Sequence, residues 1–161
     1  MSVSYPEAMS TTAIRQFHLE PIDADAAAAL RAIGGVRYIA DSKPGYPCRR
    51  CLRDAEVGEE LILVSHDPFS IDSPYRCASP IFLHADECHP DLEADDLPTQ
   101  LTCRQLSVRA FDDQAMMIDA AIIDGRELEH TIERFFTDPT TDAIHVHNAS
   151  RGCWAVTVVR D

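Results

Sequence analysis

Two pairs of strand-like segments in this chain are joined by links too short for a crossover. Ser107–Phe111 and Met116–Ile123 flank Asp112-Asp113-Gln114. Ala143–Asn148 and Cys153–Arg160 flank Ser150-Arg151-Gly152. A parallel connection needs roughly a dozen residues or more, so each pair reads as an antiparallel hairpin. Further β-prone runs occur at Ile14–Pro21, Val36–Ala40, Glu59–Ser65 and Pro80–His84. Helical signals are fewer. An alanine run follows a capping Asp23 and stops at Gly34-Gly35. From Arg126 to Phe136, apolar Leu128, Ile132, Phe135 and Phe136 fall on one helical face, behind Asp124 and Glu127 in capping-box spacing. A helical turn is expected near Leu97–Leu101. The fold class is therefore α+β, an antiparallel or mixed sheet of about five to seven strands carrying two main helices. Residues 1–13 read as a polar arm and 14–161 as a single domain.

Charge narrows the partners. Of 161 residues, 27 are acidic and 14 basic, a net charge of −13. That balance argues against nucleic acid, whose phosphates call for a basic face, and against anionic lipid. No stretch approaches a membrane span, and the N-terminus has neither early basic residues nor an apolar core. A cytoplasmic location is the expectation, with the six cysteines largely reduced. Lys43 is the single lysine, and the arginine and alanine content suggests a GC-rich bacterial genome.

The last hairpin carries the first candidate site. Strand alternation puts Ile144 and Val146 toward the core and His145 and His147 on the other face. A turn centred on Ser150 sets His147 opposite Cys153 and His145 opposite Ala155. An imidazole beside a thiol can accept its proton, which makes His147, Cys153 and His145 the catalytic candidates. Arg109, Arg151 and Asn148 are candidate ligand contacts, and the arginines would suit a small anion. The competing reading is two half-exposed histidines beside a packing cysteine.

The second candidate is Cys48-Arg49-Arg50-Cys51. Arginines beside thiols favour thiolate, and Cys-x-x-Cys is half of a zinc site or a redox pair. His84, Cys88 and His89 offer further ligands for a Cys2His2 or Cys3His set. Neither half has a familiar finger spacing, so no residue is assigned to a metal and the cofactor is left open. Cys77 and Cys103 read as packing residues. Asp119, within an apolar strand, is a candidate partner of Arg109. Phosphate-loop, nucleophile-elbow and His-Glu-x-x-His signatures are absent.

Several segments, in this order and spacing, resemble an uncharacterised bacterial family, domain of unknown function 1203. They are Pro44-Gly-Tyr-Pro-Cys-Arg49, Leu52-Arg-Asp-Ala55, Gly58-Glu59, Ser73-Pro-Tyr-Arg76 and Pro80-Ile-Phe-Leu83. Arg109-Ala-Phe-Asp112, Met116-Met117, Asp119-Ala120, Ile144-His-Val-His-Asn-Ala149 and Gly152-Cys153 complete the set. The resemblance implies a compact single-domain bacterial protein and no activity. It carries Cys48 but not dependably Cys51 or Cys77, which weighs against the Cys-x-x-Cys readings. It favours His145, His147, Asn148 and Cys153, with Cys48, Arg49 and Arg109 behind them.

Three functional readings follow. The first is a small-molecule or enzymatic site at the last hairpin. The second is a non-catalytic interaction domain with an acidic surface and edge strands, a homodimer included. The third, ranked lower, is a zinc-binding protein.

Overall fold

A computed structural model describes residues 15–161; the arm expected at 1–13 lies outside the described residues. Both short links close antiparallel hairpins. Strands β5 (Gln105–Phe111) and β6 (Met117–Asp124) form one, and β7 (Ala143–Asn148) and β8 (Trp154–Arg160) the other. β7 also pairs with β5, and β1 (Phe17–Glu20) adds to β8, giving a five-stranded sheet in the order β1-β8-β7-β5-β6. β2 (Val36–Ile39), β3 (Glu60–His66) and β4 (Ser79–His84) form a separate three-stranded sheet. All described pairings between these strands are antiparallel, and the α+β class holds. The strands expected in one sheet are divided between two, because β2–β4 pair only with one another.

The helices sit where their apolar residues require. Helix α1 (Ala24–Ile33) is capped by Asp23, whose carboxylate accepts from the Ala26 N–H at 2.7 Å, and ends at Gly34 with φ 81°. The Arg126–Phe136 helix begins as a 3-10 turn, Gly125–Glu127, and continues as a helix over Leu128–Phe135. A single turn between the two (Thr99–Thr102) is called α2, and Leu128–Phe135 is α3. Asp124 does cap this segment, accepting from the Arg126 N–H at 2.9 Å and fixing the Arg126 guanidinium. Gly125 is needed for closeness: a Cβ there would press on the carbonyl oxygens of Leu101, Thr102 and Arg104.

Helix α3 covers one face of the large sheet. Leu128, Ile132 and Phe135 pack on Leu106, Val108, Ile144, Val146, Val156 and Val158. A second cluster joins α1 to the small sheet and takes in Trp154 of the large one, with Ile62, Val64, Ile81 and Leu83. The two clusters thus lie on opposite faces of the β7–β8 hairpin. That arrangement buries both of its faces. His145 and His147 are 5% and 3% exposed, so the half-exposed reading of these histidines does not hold.

The register of that hairpin also differs from expectation. His147 stands opposite Trp154 and His145 opposite Thr157, not Cys153 and Ala155. Ala155 is an extra, unpaired residue at a bulge, and the turn closes through Asn148 N–H to the Cys153 carbonyl. Asp119 stands opposite Ala110 rather than Arg109, and bonds to the N–H of Ala120. Cys77 and Cys103 are exposed rather than packed.

The α3 contact generates a stability test. Ile132→Ala removes a fully buried side chain and is expected to cost about 2–5 kcal/mol in urea unfolding. Ile122→Ala, on the exposed side of β6, is expected to stay within about 0.5 kcal/mol. Equal losses at the two positions would contradict the packing described.

Candidate metal centre

The turn-rich segment after β2 folds back so that Pro47 bridges Asp54, while Cys48 bridges Phe82 of β4 in parallel fashion. Two backbone bonds close the bend: Cys48 N–H to the Arg53 carbonyl at 3.0 Å, and Leu52 N–H to the Cys48 carbonyl at 3.1 Å. Leu52 completes it at φ 58°, a left-handed conformation that costs a side-chain-bearing residue roughly 1–2 kcal/mol. Seating Cys48 beside Phe82 brings it to His84, whose backbone N–H donates to Cys48 Sγ at 3.3 Å. Cys88 arrives from the loop that follows β4.

The result is a cluster of Cys48, Cys51, His84 and Cys88, with all four potential ligand atoms within 4.8 Å of one another. Cys48 Sγ lies 3.7 Å from Cys88 Sγ, and Cys51 Sγ 3.4 Å from His84 Nδ1. A disulfide would bring sulfurs to about 2.0 Å, so these are free thiols in contact. Zinc bonds of ~2.3 Å to sulfur and ~2.0–2.1 Å to nitrogen set tetrahedral edges of about 3.8 Å (S···S) and 3.6 Å (S···N). These two pairs match those edges. The donor set therefore fits zinc. His89, the other ligand considered, is exposed and outside the cluster.

The surroundings hold the ligands. Arg31 of α1 donates to the His84 carbonyl at 2.9 Å and to Cys88 Sγ at 3.5 Å. Gln100 of α2 donates to the Cys48 carbonyl at 3.0 Å. Asp54 takes a two-pronged grip from Arg104 (2.9 and 2.5 Å), tying the cysteine bend to the start of β5. His84 presents Nδ1 inward, while Nε2 lies 3.4 Å from Glu59 Oε2 without making an aligned hydrogen bond. A carboxylate behind a histidine is the arrangement that orients metal-binding imidazoles.

Proton affinities within the cluster are strongly split. Hydrogen bonds from Cys51, then from Cys88, drive the Cys48 thiol far below its usual range. Cys51, which keeps the proton it shares with Cys48, is pushed up. The Cys48 and then the Cys88 sulfur raise His84 to about 10. These opposed shifts favour a thiolate at Cys48 beside a protonated His84. A dication would displace those protons. Beside His84 and Cys88 opens a cleft of about 600 Å³ whose walls include Glu59, Glu60, Asp86 and Glu87. Acidic walls of this kind attract a cation toward the thiols.

The residues favoured by the sequence divide between this centre and the last hairpin. Cys48 is a cluster member. Arg49 is 1% exposed and donates to the carbonyls of Trp154 (2.8 Å) and Pro47 (2.5 Å) and to Cys153 Sγ (3.2 Å). Cys153 is thus engaged by Arg49, and His147 Nδ1 by the Gly152 carbonyl at 2.9 Å. No His147–Cys153 hydrogen bond forms among the described residues. Arg109 stands opposite His145 on β5 and bonds to Ser107 Oγ at 3.2 Å. Arg151 is exposed in the turn, and Asn148 is half-buried at its edge.

An α+β protein with a Cys3His cluster, three members buried and Cys88 partly so, between its small sheet and a cysteine bend is the class that the fold and site define. Within that class, residues 45–160 match the family described as protein of unknown function DUF1203, and the chain belongs to it. No curated protein and no solved structure matches the chain.

The buried histidines make stability pH-dependent. Burial is the first cause that holds both His145 and His147 down at about 4, against an ordinary value near 6.5. Between those values the unfolded chain binds more protons than the folded one. The stability that these two histidines contribute is therefore full above about pH 6.5 and is lost as the pH drops toward 4, by about 3 kcal/mol per histidine. His145→Phe is expected to flatten that slope by about one proton in urea unfolding across this range. An unchanged slope would show that His145 is not held neutral.

Proposed function

We propose that this protein binds zinc in a closed Cys3His site formed by Cys48, Cys51, His84 and Cys88. The observation that carries this reading is the convergence of four ligand atoms from two chain segments, all within 4.8 Å of one another and with two of the pairs at tetrahedral-edge distance. Four protein ligands leave no open coordination position, which favours a structural role over Lewis-acid catalysis. The metal would fasten the cysteine bend to β4 and its following loop. Those segments also share the Cys48–Phe82 bridge, the His84 N–H bond to the Cys48 sulfur and the second apolar cluster.

Charge supports the same reading. Arg49 is a buried cation, and among the described residues no carboxylate lies within ion-pair distance of it. Three thiolates and a neutral imidazole around a dication leave one net negative charge. That charge would sit next to Arg49, whose neighbour in sequence is Cys48. The reading also favours the cytoplasm, where thiols in contact stay reduced and available to metal.

Untagged protein purified without chelator is expected to contain about one zinc per chain by elemental mass spectrometry. Cys51→Ser and Cys88→Ser are each expected to abolish stoichiometric metal. Their melting temperatures should fall by roughly 6–12 °C, as loss of about 3 kcal/mol of ligand linkage implies at this size. Cys77→Ser, an exposed thiol outside the cluster, should change neither quantity. Metal-free protein whose melting is unmoved by chelator would overturn the proposal, and iron in place of zinc would overturn the choice of metal.

A further inference from the structure

A second concave site lies on the opposite side of the β7–β8 hairpin from α3. It is a cleft of about 440 Å³ between the end of β1, the loop after β3 and the large sheet. Its lining includes Glu20, Asp23, Asp67, Asp112, Asp113 and Asp142 and, among the described residues, no lysine or arginine. Some of these carboxylates are already engaged. Asp67 pairs with Arg76 at 2.7 Å, and Asp112 accepts the N–H groups of Gln114 and Met116. The Asp142 carboxylate has no hydrogen-bond or ion-pair partner among the described residues, and Asp113 has only the distant Gln114 amide at 3.5 Å.

The wall of the cleft is aromatic. Trp154 carries His66 against its face, with ring centroids 5.0 Å apart. His145 lies between Phe69 and Phe111, each at 4.8 Å. It is 5% exposed, and its Nδ1 has no hydrogen-bond partner. A buried polar nitrogen left unpaired is costly, and in a cleft wall it marks a place for a ligand donor. Burial lowers the pKa of both His66 and His145, so neither adds positive charge at neutral pH.

We infer that this cleft binds a small organic amine through a primary ammonium group. The carboxylates of Asp142 and Asp113 would meet the charge, the aromatic wall would receive the alkyl chain, and His145 would accept one N–H. A cation held against aromatic faces in a cavity lined by carboxylates gains from both. Among the described residues the lining itself gives an anion no cation: Arg76 is already paired with Asp67, and Arg109, across from His145 on β5, lies outside the lining. A primary ammonium fits better than a quaternary one because unpaired acceptors need N–H donors. The volume lies at the lower end of the range usual for small-molecule sites. The site is separate from the thiol cluster and shares no lining residue with it.

Trp154 is the single tryptophan of the chain, so its fluorescence reports on the cleft directly. Metal-replete full-length protein would be titrated with spermidine and putrescine at pH 7.5 and moderate salt. A saturable change in Trp154 emission is expected, together with a shift of the His145 imidazole nitrogens in NMR. The exposed pair Asp113→Asn and Asp142→Asn, made together, is expected to weaken binding at least tenfold without altering the circular dichroism spectrum. Tetramethylammonium, which has no N–H, is expected to bind more weakly than either amine. No saturable response, an equal response to magnesium, or unchanged affinity in the double variant would overturn the inference. Zinc content serves as the separate readout of the metal site, so failure here does not bear on it.

Discussion

A buried guanidinium holds the two sheets of this protein in register. The Arg49 backbone N–H donates to the Phe82 carbonyl on β4, while its side chain reaches the Trp154 carbonyl on β8 and the Cys153 sulfur. One residue thus touches both sheets and leaves its charge between them. Taking an arginine out of water costs several kcal/mol unless its donors are met. Here the acceptors are carbonyls and a sulfur rather than a carboxylate. Burial lowers its proton affinity, and the neighbouring sulfurs of Cys153 and Cys48 pull it back up. The negative charge that settles such a cation would come from the thiols next to it.

This explains why the cysteine bend is built with so little freedom. A left-handed Leu52, the Asp54–Arg104 grip and the Gln100 bond to the Cys48 carbonyl each fix the bend from a different side. The His84 backbone N–H donates to the Cys48 sulfur at 3.3 Å. Such a donor favours thiolate over thiol. A bend so constrained would receive the proposed cation without being assembled around it, and the acidic cleft beside it would supply a way in.

The second consequence concerns the histidines of β7. A strand in an open sheet would show one face to water. Here α3 takes one face, and the small sheet with the loop after β3 takes the other. His145 and His147 are therefore enclosed, neutral and aromatic in company, His145 against Phe69 and Phe111. In that dry wall His147 Nδ1 donates to the Gly152 carbonyl, while His145 Nδ1 is left without a partner. Hydrogen bonding divides the expected nucleophile pair: His147 turns to Gly152 and Cys153 to Arg49.

Local rules were enough to read the hairpins, the Asp23 and Asp124 caps, the apolar face of α3 and the α+β class. Each depends on residues close in sequence, where spacing and turn chemistry act directly. The β7–β8 register was not legible, because the turn closes at Asn148 and Cys153, one residue off the expected centre, and a bulge at Ala155 adds a second residue of shift that no local signal marks. Nor was the division into two sheets, which depends on which strands find partners. The cluster was half legible. Cys48, Cys51, His84 and Cys88 stood out as ligand types, but their spacing matched no familiar finger. What joins them is the pairing of Cys48 with Phe82, a contact between residues far apart in the chain. Sequence by itself determined the element types and the supply of thiols and imidazoles, because those are properties of single residues and short periods. Only the tertiary structure decided which of them meet, because that depends on strand pairing and on which face each layer covers.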